Sequence, residues 1–199
     1  MTVEEGLIEG KVLYFSKAGK QNTNILLDYC KQVQEERSLN HVVVATTTGE
    51  TGVKAAKVFA ETSCNLVVVT HQSGFRKPGE NEMKPEYLEM LKNYGNVKTF
   101  TGTHAFAGIP RGFRNELGTW QAVEIMALML RRNFGQGTKV CMEICLMGAD
   151  SGLLPVDRDV LSIAGTGSGA DTAWIVRPTH THNLFDLKMR EPVARPLDF

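Results

Sequence analysis

HVVVATTTGETGVKAAKVFAETSCNLVVVTH, residues 41–71, is the stretch on which the fold turns. His41 to Ala45 and Leu66 to Thr70 are short runs of β-branched residues with no polar residue alternating between them. Unbroken apolar runs of this length suit strands of a parallel sheet covered on both faces. Between them, Val53 to Glu61 places Val53, Ala56, Lys57 and Ala60 at helical spacing. The loop Thr46-Thr47-Thr48-Gly49-Glu50-Thr51-Gly52 joins the first strand to the helix. Strand, loop, helix and parallel strand make a βαβ unit, and the rest of the chain reads as an extension of it.

Upstream, Lys11 to Phe15 reads as a strand and Asn24 to Glu36 as a helix with Leu26, Cys30 and Val33 on one face. Downstream, Pro85 to Asn93 is a short helix opened by a proline, whose missing N–H would have no partner there anyway. Val97 to Thr101 is a further strand, and the segment that follows, to Asn115, is expected to be loop. A strongly apolar helix is expected over Trp120 to Asn133, with Thr119 as its N-cap and Gly135 as its stop. Lys139 to Asp150 fits either a strand or a helix. Its length, with Gly152 and Pro155 behind it, favours helix. Val160 to Ala164 and Thr172 to Val176 bracket the glycine-rich Gly165 to Asp171 and are expected to form an antiparallel hairpin at the sheet edge. The tail from Pro178 to Phe199, rich in proline, is expected to wrap the surface without a long element. The fold class is thus α/β, a three-layer α/β/α arrangement with a mostly parallel sheet, in a single domain over 1–199.

Composition narrows the function classes. Lysine plus arginine and aspartate plus glutamate number 22 each, so no global field favours nucleic acid or an anionic membrane. No run approaches the roughly 18 apolar residues of a membrane span. Met1 to Gly10 carries three glutamates where a signal peptide would be cationic and then apolar, so a cytoplasmic protein is expected. Cys30, Cys64, Cys141 and Cys145 sit in apolar segments and read as small hydrophobes, without a disulfide framework. The apolar character of the Trp120 to Leu130 helix, on more than one face, suits either a homo-oligomer or a fully internal helix.

Three loops could hold an anion. Hydroxyls and glycines at Thr46, Thr47, Thr48, Gly49, Glu50, Thr51 and Gly52 precede a helix, whose first N–H groups lack partners and whose dipole is positive there. The same residues also suit a plain N-cap and tight turn. No Lys-Ser or Lys-Thr follows the second glycine, so this is not a Walker loop. Ser16, Lys17 and Gly19 belong to a second strand-to-helix loop, and His71, Ser73 and Gly74 to a third after the Leu66 strand. In open α/β sheets ligands collect at the carboxyl ends of strands, where these loops would converge. Gly165, Thr166 and Gly167 lack the G-x-G-x-x-G spacing and precede a strand, so they are no dinucleotide fingerprint, although glycines there let a backbone approach a ligand closely. His180 and His182 alternate on an extended segment, but no third metal ligand accompanies them and no metal site is expected. No nucleophile motif is present.

The 41–71 run resembles the C-terminal domain of pyruvate kinase, where a T-x-S-G-x-[ST] loop holds the phosphate of a sugar-phosphate effector. The resemblance gives Thr46, Thr48, Gly49, Thr51 and Gly52 phosphate-binding roles. Thr48 stands where that loop usually has serine, and Glu50 adds a negative charge. YFSKAGKQNT, TTTGETG, GTGSGADTAWIVRP and HNLFDLKMREPVARP further resemble a stand-alone family of pyruvate kinase C-terminal-like proteins of unknown function. That likeness implies a phosphorylated ligand, with flavin mononucleotide (FMN) as cofactor. The kinase's catalytic barrel needs far more chain than this, so pyruvate kinase activity is not expected. Two functions follow: a module that binds a phosphorylated small molecule without turnover, or a flavin-dependent oxidoreductase in which His71, His104 or His180 donates a proton.

Overall fold

The computed structural model describes residues 9–199; the reading of Met1 to Gly10 falls mostly on residues outside that range. One seven-stranded sheet runs through it. The strands are β1 (Leu13–Lys17), β2 (His41–Ala45), β3 (Asn65–Val69), β4 (Val97–Phe100), β5 (Val160–Ala164), β6 (Thr172–Arg177) and β7 (Lys188–Asp198). Their spatial order is β1-β7-β6-β5-β2-β3-β4. Only β6 runs against its neighbours: it pairs antiparallel with β5 and with β7, while β1–β7, β5–β2, β2–β3 and β3–β4 are parallel. The β5–β6 hairpin is antiparallel as the glycine-rich turn predicts, and the sheet continues beyond it through β7 and β1.

Among the described residues there are six α-helices: α1 (Thr23–Glu36), α2 (Glu50–Phe59), α3 (Pro85–Lys92), α4 (Gly108–Leu117), α5 (Ala122–Phe134) and α6 (Gln136–Asp150). The valine runs explain the layering. Val42 and Val44 of β2, with Leu66 and Val68 of β3, pack against Leu26, Leu27, Ala56 and Phe59 of α1 and α2. Val43, Val67 and Val69 face the other way, onto Ile144, Cys145 and Met147 of α6 and Ala127 and Leu130 of α5. A strand with apolar residues at every position is what burial on both sides requires. All four cysteines are buried in these layers as free thiols. Among the described residues, no helix is long and apolar enough to cross a membrane.

Several expectations are corrected. The 102–115 segment is not all loop: α4 occupies Gly108–Leu117. None of its residues is buried: its apolar stripe of Ile109, Phe113 and Leu117 stays exposed, and Gly108, Pro110 and Gly112 disguise it as loop in the sequence. Pro110 is tolerated because it lies in the first turn, where an N–H has no intrahelical acceptor. Thr119 does not cap α5, which starts at Ala122 behind Gln121, although Gly135 ends it as expected. Lys139 to Asp150 adopts the helical alternative, and the helix begins earlier, at Gln136. The tail is not a surface wrap. It forms β7, the longest strand, between β1 and β6. Pro192 pairs only with β6 and Pro196 only with β1, so each proline sits where one neighbour is missing and one ladder donor fewer is needed.

Candidate functional site

Because β1, β2, β3, β5 and β7 point the same way, the loops after β1, β2, β3 and β5 gather at one edge of the sheet. There they surround a crevice of about 840 Å³, roofed by α4, α5 and α6. Thr46, Thr47, Thr48, Glu50 and Thr51 line it, as do His71, Gly165 and Gly167. Lys20 and Gln21 line it from the loop after β1.

The threonine loop is built from both ends. Helix α2 starts at Glu50, three residues before the apolar periodicity begins, so Glu50, Thr51 and Gly52 form its first turn. Gly49, its N-cap, has φ 106°, and a Cβ there would stand 2.5 Å from Cβ of Tyr87; no other residue fits. Thr46 is buried, and its hydroxyl accepts the N–H groups of Gly49 at 3.1 Å and Gly52 at 3.4 Å. Thr46 is therefore spent on holding the turn, and Gly49 and Gly52 lie behind the crevice wall. Among the described residues, the N–H groups of Thr47, Thr48, Glu50 and Thr51 meet no protein acceptor. Glu50 does not oppose an anion here as fully as its charge suggests. Lys54, 2.9 Å away, bonds it and holds its carboxyl below the usual range.

The loops after β1 and β5 are clamped together. Asp171, fully buried, accepts the N–H groups of Gly19 at 2.9 Å and Thr166 at 3.2 Å and the hydroxyl of Thr172 at 2.7 Å. The Thr23 hydroxyl takes the N–H of Ala170 and donates to Lys20 O. Gly169, with φ 71°, lies so close that a Cβ would come within 2.7 Å of the Lys20 Cα. Gly19 and Thr166 thus fasten two loops and are not among the crevice-lining residues. Ser16 and Lys17 belong to β1 itself and do not line the crevice either.

After β3, the His71 Nδ1–H donates to Glu82 Oε2 at 2.9 Å, and Arg76 Nε holds the other Glu82 oxygen at 2.8 Å. With Nδ1 so occupied, Nε2 is the ring nitrogen that faces the Thr47 hydroxyl, at 3.4 Å. His104 stands edge-on to His71, ring centroids 5.1 Å apart. Its Nε2 accepts the backbone N–H of Gln72, while the backbone N–H of His104 donates to Gln72 Oε1. Burial above all pushes the His104 pKa down to about 4. Ser73 and Gly74 turn away: Gly74 N–H closes the loop onto Glu80 O at 2.8 Å, and its residue borders a smaller hollow of about 240 Å³. His180 lies 3.3 Å from Asp150, stacked on His182, and neither histidine lines the crevice.

The roof carries charges that sequence reasoning missed. Lys139 and Glu143, both buried, form an ion pair one turn apart on α6, and Glu143 Oε1 also accepts the Phe106 N–H at 2.8 Å. Burial lowers the pKa of Lys139. Arg111 of α4 and Arg131 of α5 complete this end. A lysine and a glutamate four apart inside an apolar run was the visible sign of the first pair. Glu82, Arg111 and Arg131 had none.

No known protein-family profile matches the chain. Solved structures similar to it include pyruvate kinase from Cryptosporidium parvum in complex with ADP, at 15% identity and a TM-score of 0.42 over 79% of this chain and 24% of that one. Two further structures of pyruvate kinase from the same organism match at 13% and 15% identity, with TM-scores of 0.40 and 0.41. They too are matched over 79% of this chain, which spans 22% and 23% of theirs. The chain therefore covers less than a quarter of the length of each.

Proposed function

We propose that the crevice binds a phosphorylated small molecule, FMN in the first instance, with the phosphate at the N-terminus of α2. The observation that carries this reading is the set of unaccepted N–H groups at Thr47, Thr48, Glu50 and Thr51, opening on a crevice whose volume lies in the range of cofactor sites. Lys20 adds positive charge at the same end. The residues present fit the remainder of a flavin nucleotide: Phe75 and His104 offer ring faces and edges in the crevice for a planar group. When bound, the isoalloxazine supplies redox chemistry; the chain supplies orientation and charge.

Calorimetry of FMN against riboflavin tests the phosphate. FMN binds and riboflavin binds at least about tenfold more weakly, and Thr48→Glu weakens FMN by a further factor of about ten through like-charge repulsion at the helix terminus. Equal affinity for the two flavins, or an unchanged affinity in the variant, removes the loop from the site.

A flavin-dependent oxidoreductase is the second reading, favoured by one observation. Glu82 fixes His71 with one ring nitrogen toward the crevice, as a proton-transferring imidazole requires. Reduction of bound FMN by nicotinamide nucleotides, slowed in His71→Gln with FMN affinity retained, is the result this reading demands. A homo-oligomer belongs to the same proposal: Ile109, Phe113 and Leu117 of α4 and Ile125 and Met129 of α5 are exposed, an apolar surface that a second copy would cover. Light scattering of the purified chain tests it, and a monomeric mass removes it.

A further inference from the structure

The roof of the crevice has more positive than negative charge. Arg111, Arg114, Arg131 and Lys139 converge there on two carboxylates, Glu124 and Glu143. Glu143 is taken by Lys139, and Glu124 lies 3.3 Å from Arg114. Among the described residues, no carboxylate comes within ion-pair distance of Arg111 or Arg131. Both guanidinium groups line the crevice, whereas Arg114 and Glu124 do not. Arg111 Nε is buried with no acceptor, and its guanidinium carbon stands 5.1 Å above the Phe75 ring.

Both arginines are half-buried, and a guanidinium cannot shed its proton there as a lysine can, so an oxyanion is the complement that suits them. Burial, with the charges of Arg111 and Arg114, lowers the pKa of Arg131 against the pull of Glu143 and Glu124. His104, neutral at pH 7, brings no further charge of either sign. Among the described residues that line the crevice, the buried side-chain polar atom left without a partner is a donor, Arg111 Nε; Thr166 Oγ1, also unpartnered, belongs to a residue outside the lining. The orphaned acceptor nearby, Glu124 Oε2, belongs to a residue outside the crevice lining.

We propose that Arg111 and Arg131 form a second oxyanion subsite, distinct from the N-terminus of α2, and that the ligand class of the crevice is a small molecule carrying a phosphate at one end and a carboxylate or second phosphate at the other. The two-ended ligand rests on the phosphate reading above; the guanidinium subsite itself does not. Planar guanidinium forks match either oxyanion by paired N–H donation. FMN, with one phosphate, would leave this end to the carbonyl edge of its ring.

The test is calorimetry of the wild-type chain with alkylphosphonates, ω-phosphonocarboxylates, α,ω-bisphosphonates and dicarboxylates of increasing chain length. At one length the phosphonocarboxylate or the bisphosphonate binds about tenfold or more tighter than the alkylphosphonate, and the better of the two identifies the second group. Arg111→Gln and Arg131→Gln, checked for an unchanged melting transition, each abolish that advantage and leave alkylphosphonate affinity as it was. Thr48→Glu weakens all phosphonates. An advantage absent at every length, or surviving both arginine variants, overturns the subsite while the α2 site stands. Dicarboxylate binding that depends on Arg131, without phosphonate binding, sustains the subsite and refutes the α2 site. Binding of none of these compounds refutes both.

Discussion

Acidification should loosen the fold through His104, by an amount that follows from its surroundings. Its pKa falls from 6.5 to about 4, with burial as the largest cause. Its Nε2 also accepts the Gln72 N–H at 3.3 Å, which a proton there would displace. In the unfolded chain the imidazole titrates at its ordinary value, so between pH 6.5 and about 4 the unfolded state binds the proton and the folded state does not. Stability must therefore fall with pH across that window and level off below it. At 1.36 kcal/mol per pH unit the ceiling is roughly 3.4 kcal/mol, and because the ring is partly exposed to screening solvent about half of that is expected. Urea unfolding at several pH values from about 7.5 to about 4, comparing wild type with His104→Gln, isolates the contribution, since every other titrating group is shared. The wild type should lose about 1–2 kcal/mol more than the variant on going to the acidic end. Parallel pH profiles for the two proteins would refute the assignment of a proton-excluding environment to His104.

Three further outcomes are expected. Glu143→Ala leaves Lys139 buried without its partner and removes the acceptor of Phe106 N–H, so unfolding free energy should drop by about 3–5 kcal/mol; a loss below about 1 kcal/mol would mean water already serves the pair. Thr46→Val keeps the shape but strips Gly49 and Gly52 of a shared acceptor, at a cost of about 1–2 kcal/mol in urea titrations, and unchanged stability would deny Thr46 its role in the turn. Gly137→Ala places a Cβ within 2.4 Å of the Thr172 Cβ, wedging α6 from the hairpin, and should cost about 1–3 kcal/mol by thermal melting; a neutral effect would show that the contact yields freely.

The sheet is readable in the sequence wherever burial on both faces imposes unbroken β-branched runs: β2 and β5 fall on the expected residues, and β3 and β4 within one position. β7 escapes because its prolines suggest a non-strand segment. Only the staggered lengths of β1 and β6, a tertiary fact, make room for them. Helix α4 escapes because Gly108, Pro110 and Gly112 read as loop punctuation, although Ile109, Phe113 and Leu117 stand four residues apart along it. At the crevice, the threonine loop is visible because strand, hydroxyls, glycines and helix follow one another locally. Thr46 nevertheless turns out to brace the turn, and Gly19 and Thr166 to pin loops through Asp171. Glu82 lies in an irregular segment and meets His71 only through the loop's path. Arg111 and Arg131 sit on separate helices that tertiary packing alone brings to one roof.

The position of β7 also sets an order of events. Among the described residues β1 has no sheet neighbour except β7, and the three slots separating β1 from β2 are filled by β5, β6 and β7, which are made after the other described strands. While the chain emerges from the ribosome, the first strand has to wait as an unsatisfied backbone ribbon, with α1 already linked to a sheet half that cannot yet reach it. Such late insertion into the middle of a sheet demands distant pairings and slows assembly, and it leaves the incomplete chain exposed to association with others. A nascent form cut short before residue 188 would thus lose β7, and with it the strand that joins β1 to β6.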